Sequence, residues 1–158
     1  MSILLKQSCA EIPQAGFVAS AALRKPWIER FMLYQGRTIH VAATSLNASD
    51  WWGGIKARLG FGRMRYSVMP GLYAIGAPVA ESEVFVSANY KMSFDALRSN
   101  LVGMDAWILV LDTKGINVWC AAGKGSFGTD ELVSRIARVK LSTIVPHKIG
   151  RASCRERV

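Results

Sequence analysis

Cysteine is scarce in this chain and is not paired. Its three residues, Cys9, Cys120 and Cys154, stand far apart. An odd, widely spaced set builds neither a disulfide framework nor a zinc site. Without a Cys-x-x-Cys, the chain does not ligate an iron–sulfur cluster in the usual way. Acidic residues are outnumbered, 11 against 20 Lys and Arg, which leaves a formal charge of +9. Such a balance points toward nucleic acid or anionic lipid. The basic residues are scattered, however, and no aromatic platform interleaved with arginine recurs, so nucleic acid is not an expected partner. Long apolar runs are missing too. None reaches the roughly 18 residues that would span a bilayer. The start of the chain, Met1 to Lys6, is too short an apolar stretch for a secretory signal, so a cytoplasmic domain is expected.

What is present is a globular composition, 51% hydrophobic and 20% charged over 158 residues, enough for one domain with a real core. Residues 106–111 form the most apolar run. Bounded by Asp112, Thr113, Lys114 and Gly115, it reads as a strand buried on both faces. Further strands are expected at 38–43, 72–75 and 83–88. Helices are expected from Asn47 to Leu59, from Ser93 as N-cap, and over 129–139, where Leu132, Ile136 and Val139 form an apolar face. Trp51, Ile55 and Leu59 recur every four residues, which predicts a core-facing stripe. Residues 15–23 and 27–34 are candidate short helices broken at Lys25-Pro26. The alternation predicts an α/β fold with a parallel sheet.

Chemistry gathers at 115–124. Asn117 is a suitable N-cap and Gly123 a suitable C′ residue, which makes the intervening stretch a very short helix with Cys120 at its third position. It stands above the C-terminal edge of the sheet, where open α/β sheets bind ligands. Thiols in a first helical turn gain thiolate character, which suits a nucleophile or a metal ligand. The alternative is a small buried hydrophobe between Trp119 and Ala121. Asn89, at the end of the 83–88 strand, shares that edge. The loop from Gly60 to Tyr66 carries Arg63 and Arg65, which can meet phosphate or carboxylate groups or remain a solvated connector. His40 reads as a partly exposed strand histidine. Gly123, Gly125 and Gly128 match the spacing of a dinucleotide fingerprint, but they do not follow a strand, and the match is weak.

The run Asn117, Val118, Trp119, Cys120, Ala121, Ala122, Gly123, Lys124 resembles the cap-helix motif of the HgcA family, the corrinoid proteins of microbial mercury methylation. Residues 104–115, 125–132, 62–66, 70–73 and 88–95 resemble the same family, so the likeness covers about 36–148. The related corrinoid iron–sulfur protein of the acetyl-CoA pathway shares the fold and typically lacks the cysteine. The resemblance implies a Rossmann-like corrinoid-binding domain with a short cap helix, a cobalt-containing corrinoid (cobalamin) cofactor, and methyl transfer to Hg(II). It implies Cys120 as catalytic residue and lower axial ligand to cobalt, with residues 117–124 and Asn89 lining the cofactor. Asn117 would hold the helix start against the corrin, Trp119 would pack the helix down, and Ala121 and Ala122 would let the ring approach. No Asp-x-His-x-x-Gly motif offers a histidine ligand instead. Implied partners are a ferredoxin-like protein with two 4Fe–4S clusters and a methyl-folate-type donor system. The same resemblance implies a C-terminal membrane domain anchoring the intact protein at the cytoplasmic membrane. The alternative is a methyl carrier of the CO dehydrogenase/acetyl-CoA synthase pathway.

Three segments follow: 1–35, poorly defined; 36–148, the corrinoid-binding domain, expected to be incomplete at its C-terminus; and 149–158. The last reads as a translated sequencing adapter, since ATC-GGA-AGA-GCG-TCG-TGT encodes residues 149–154. Without it the formal charge falls from +9 to +7.

Overall fold

The computed structural model describes residues 25–62, 65–117, 120–121 and 128–146. Five strands, β1 (Ile28–Tyr34), β2 (Arg37–Ala42), β3 (Gly71–Ile75), β4 (Val84–Ala88) and β5 (Ala106–Leu111), form one sheet in the order β1-β2-β3-β5-β4. Among the described residues four helices accompany it: α1 (Ala48–Arg58), α2 (Lys91–Ser99), α3 (Thr129–Arg138) and α4 (Leu141–Ile144). All six residues of β5 are buried. Its alternation sends Ala106, Ile108 and Val110 into one core and Trp107, Leu109 and Leu111 into another. A strand apolar on both faces must be covered on both. Phe94 and Leu97 of α2 close the first core, and Leu132, Ile136, Leu141 and Ile144 of α3 and α4 close the second.

The α/β, Rossmann-like class matches the expectation from sequence, with a difference in strand direction. β2 runs parallel to β3 and β4 parallel to β5, whereas β1–β2 and β3–β5 pair antiparallel. Residues 27–34, expected as a short helix, are instead the edge strand β1. Gln35 and Gly36, with φ of 49° and 75°, turn it directly into β2. Two consecutive left-handed residues match the twist of a hairpin, and that local geometry overrides the weak helical pattern. The sheet thus extends upstream of residue 36. Residues 1–24 and 147–158, including Cys9, Cys154 and the stretch 15–23, lie outside the described residues.

Helix α1 starts at the expected place. The Asn47 side chain accepts from Asp50 N–H at 2.9 Å, and Asp50 Oδ2 accepts from Asn47 N–H at 3.1 Å, a complete capping box. Its Trp51–Ile55–Leu59 stripe is not core, however. These residues are 65%, 42% and 70% exposed. The helix turns Asp50 and Ala57 inward instead. The cause is electrostatic: Asp50 ion-pairs with Lys91 at 2.8 Å and with Arg98 at 2.6 Å, and Asp95 pairs with the same two cations. A buried charge must meet its partners, and this requirement sets the rotation of the helix. Gly53 permits the approach, since a Cβ there would stand 2.5 Å from Tyr66 Oη.

Helix α2 begins at Lys91, with Tyr90 as N-cap, three residues before the expected N-cap Ser93. The backbone around its start is already tied down, because Lys91 N–H donates to the Tyr66 carbonyl at 3.0 Å. Among the described residues no helix is long and apolar enough to cross a membrane.

Candidate functional site

The ends of β4 and β5 deliver Asn89 and Asp112 to one edge of the sheet, because the two strands run parallel with Ala88 opposite Leu111. Asn89 is the hub of that edge. Its buried Oδ1 accepts from Thr113 N–H at 3.1 Å and from Gly115 N–H at 2.9 Å, while Nδ2 donates to Asp112 Oδ1 at 3.3 Å. The Thr113 hydroxyl lies 2.8 Å from Asn89 Oδ1 and 2.7 Å from the Ile116 carbonyl. With one proton it donates to one of these at a time. Asp112 Oδ1 also accepts from Lys114 N–H at 3.0 Å, and Asp112 N–H donates to Glu131 Oε1 at 2.9 Å, which ties the loop to α3. Lys114 and Gly115 both have positive φ, 55° and 72°. The glycine makes the second of these inexpensive.

This loop places the cap. Asn117 Oδ1 accepts from Cys120 N–H at 2.8 Å, and the Asn117 carbonyl accepts from Ala121 N–H at 2.8 Å. Asn117 is therefore an N-cap and Cys120 the third residue of the turn. The two side chains that follow part company. Ala121 is fully buried, whereas Cys120 is exposed and free. Exposure removes the reading of Cys120 as a small core hydrophobe. The inward side chain of Ala121 anchors the turn. Val118, Trp119, Ala122, Gly123 and Lys124 lie outside the described residues.

Asn89, expected to contact a ligand, spends its side chain on the 112–115 backbone and so acts by holding the loop. His40 stacks on Tyr73 with ring centres 5.9 Å apart and meets Phe31 at 5.0 Å. Burial holds its pKa below the ordinary 6.5. It belongs to an aromatic cluster, and among the described residues no group of three His, Cys, Asp or Glu could hold a metal ion. Arg65 of the glycine-punctuated loop is exposed, and Arg63 lies outside the described residues.

Sequence reading missed the ionic cluster of Asp50, Lys91, Asp95 and Arg98. Burial pushes the Asp50 carboxyl up, but the hydrogen bonds from Lys91 and Asn47 and the two cations outweigh it and leave the group below its usual range. Arg98 also donates to the carbonyls of Ala43 and Ser45, the latter at 2.8 Å. The signal was available in the spacing of Lys91, Asp95 and Arg98, which share a helix face.

Over half its length the chain is similar to gamma subunits of acetyl-CoA decarbonylase/synthase complexes. It is 31% identical over 88 residues to the "Acetyl-CoA decarbonylase/synthase complex subunit gamma" of Archaeoglobus fulgidus, covering 54% of this chain and 19% of that protein. With the subunit of the same name from Methanosarcina acetivorans the identity is 33% over 89 residues, again 54% of this chain and 19% of the relative. The Methanopyrus kandleri subunit is 31% identical over 84 residues, 52% of this chain and 18% of its own length. The aligned part thus spans about a fifth of the length of these curated relatives. No protein-family model matches the chain.

Proposed function

We propose that this chain is the corrinoid-holding portion of a methyl-transfer protein, a methyl carrier of the kind associated with acetyl-CoA decarbonylase/synthase complexes. The similarity to gamma subunits supports the class, and the Asn117-capped turn is the observation in this chain that carries the site. The chemistry of the donor set fits the cofactor. An exposed thiol is a soft ligand suited to a late transition metal such as cobalt. When bound, the corrin supplies the methyl-transfer chemistry. The protein's share is to present the turn: Asn117 caps it, Asn89 holds the loop that leads into it, and buried Ala121 anchors it. Residues 117–124 would line the cofactor. The partners on this reading are other subunits of such a complex and a low-potential iron–sulfur donor, here a ferredoxin-like protein with two 4Fe–4S clusters, with a methyl-folate-type donor system upstream.

Cys120 favours a narrower second reading, methylation of Hg(II). Cys120 would be the residue that holds cobalt, and a corrin held by a thiolate would supply a methyl group of carbanion character, which suits Hg(II), an electrophile. None of the relatives above is named for that activity, so this reading rests on Cys120 and on the resemblance of residues 117–124. A membrane anchor belongs to it alone.

Titration with hydroxocobalamin, followed by ultraviolet–visible absorption, tests the site. The chain should shift the corrin spectrum, and Cys120→Ala should abolish the thiol-dependent part of the shift while circular dichroism stays unchanged. A chain with native circular dichroism that leaves the spectrum unmoved refutes the corrinoid reading. For the second reading, the full-length protein with Cys120→Ala should make no methylmercury. Undiminished methylation by that variant refutes it.

A further inference from the structure

A cleft of about 450 Å³ opens where β2 and β3 begin, against the junction of α3 and α4. Its volume lies within the usual range of small-molecule sites. Three cations line it, Arg37, Arg138 and Lys140, and no carboxylate does. Among the described residues none of these three takes part in an ion pair. Two of them are held by the backbone. Arg37 Nη1 donates to the Val139 carbonyl at 2.8 Å, which fixes the guanidinium from behind. A guanidinium has five N–H donors, so this bond leaves most of the fork for another acceptor. Lys140 sits in the left-handed region, φ 46° and ψ 49°, between α3 and α4. Its N–H donates to the Ala137 carbonyl at 3.1 Å, and its own carbonyl accepts from Thr143 N–H at 3.0 Å. The back wall is apolar: half-buried Leu72 and Val139 line it, backed by buried Ile39 and Ile144.

Three like charges around one concavity repel one another, and an anion relieves that repulsion. A planar guanidinium beside an ammonium matches phosphate oxygens in geometry as well as in charge. The apolar wall asks for more than a bare ion. We propose that this cleft binds a phosphate monoester carried on an apolar or aromatic body, with the phosphate on Arg37, Arg138 and Lys140 and the body on Leu72 and Val139. Different residues carry it from those of the proposed corrinoid site, so either reading survives the failure of the other.

Isothermal titration of the chain with AMP, adenosine and inorganic phosphate tests the assignment. AMP should bind more tightly than either adenosine or inorganic phosphate, and its affinity should fall as salt is raised. The double substitution Arg138→Gln/Lys140→Gln removes two exposed charges and should weaken AMP binding about tenfold or more, with the melting temperature unchanged. Lys56→Gln/Arg58→Gln removes the same charge from α1 and should leave binding unaltered. Equal losses in the two double variants mean nonspecific attraction to a basic protein and overturn the site. Adenosine binding as tightly as AMP overturns the phosphate role, and inorganic phosphate binding as tightly as AMP overturns the role of the apolar wall.

Discussion

Replacing Asn89 with alanine isolates the element on which the candidate site depends. The substitution removes the acceptor of two buried backbone donors, Thr113 N–H and Gly115 N–H. The Thr113 hydroxyl is not orphaned, because the Ile116 carbonyl lies 2.7 Å away and takes its proton. A buried donor left without a partner costs about 1–3 kcal/mol. Two of them at the edge of the sheet, where water can partly enter, should destabilise the chain by about 2–4 kcal/mol. Asn89→Asp keeps the acceptor of both backbone bonds and should lose less. Its residual loss comes from setting a second carboxylate opposite Asp112, now 3.3 Å from Asn89 Nδ2, and it should shrink with added salt. Urea denaturation gives the free energies, and amide exchange at Gly115 reports the loop directly. Thr113→Val should cost less than Asn89→Ala, since it leaves both backbone bonds in place. An Asn89→Ala variant within about 0.5 kcal/mol of the parent, with Gly115 exchange unchanged, would show that the loop holds itself, and would refute the role of Asn89 as its hub.

The ionic cluster offers a second test: Asp95→Ala leaves Lys91 and Arg98 each short of a partner in the interior and should cost about 3–5 kcal/mol by chemical denaturation. A loss of less than about 1 kcal/mol would mean that water reaches the cluster. Trp51→Ser should change stability by no more than about 0.5 kcal/mol, because the side chain is 65% exposed, whereas Trp107→Ala, fully buried in the α3–α4 core, should cost about 3–5 kcal/mol. Equal losses at the two positions would restore the core role expected for the Trp51 stripe. Burial pushes the Tyr73 hydroxyl from 10.0 up to about 12. The folded state therefore binds more protons than the unfolded state between pH 10 and 12, and stability present in full below pH 10 is lost as pH rises through that window. At 1.36 kcal/mol per unit the loss is about 3 kcal/mol, and Tyr73→Phe should reduce it in a series of melting curves, the remaining slope coming from Tyr66, whose hydroxyl burial also raises to about 12. An unchanged alkaline slope in Tyr73→Phe would place the loss elsewhere.

Some features of this protein are written in local chemistry. Residues 106–111 have no polar face to offer water, so they had to be a strand covered on both sides. Asn47 and Asn117 cap helical turns because a short amide side chain reaches the N–H three residues on, a relation contained within four consecutive residues. The exposure of Cys120 was not contained there. Asn117 sets the turn, but which side chain points outward depends on how the loop is hung from Asn89, 28 positions earlier. Nor could spacing say which face of α1 is buried. Trp51, Ile55 and Leu59 carry the stronger apolar signal, yet Asp50 faces inward because Lys91 and Arg98, from a different helix, meet it there. Periodicity measures how a helix divides polar from apolar. It does not weigh a buried charge against its distant partners, and that balance exists only once the chain has closed on itself. The strand at 28–34 fell between the two cases: its turn residues Gln35 and Gly36 were visible in the sequence, but only pairing with β2 gave that edge its hydrogen bonds and made it part of the sheet.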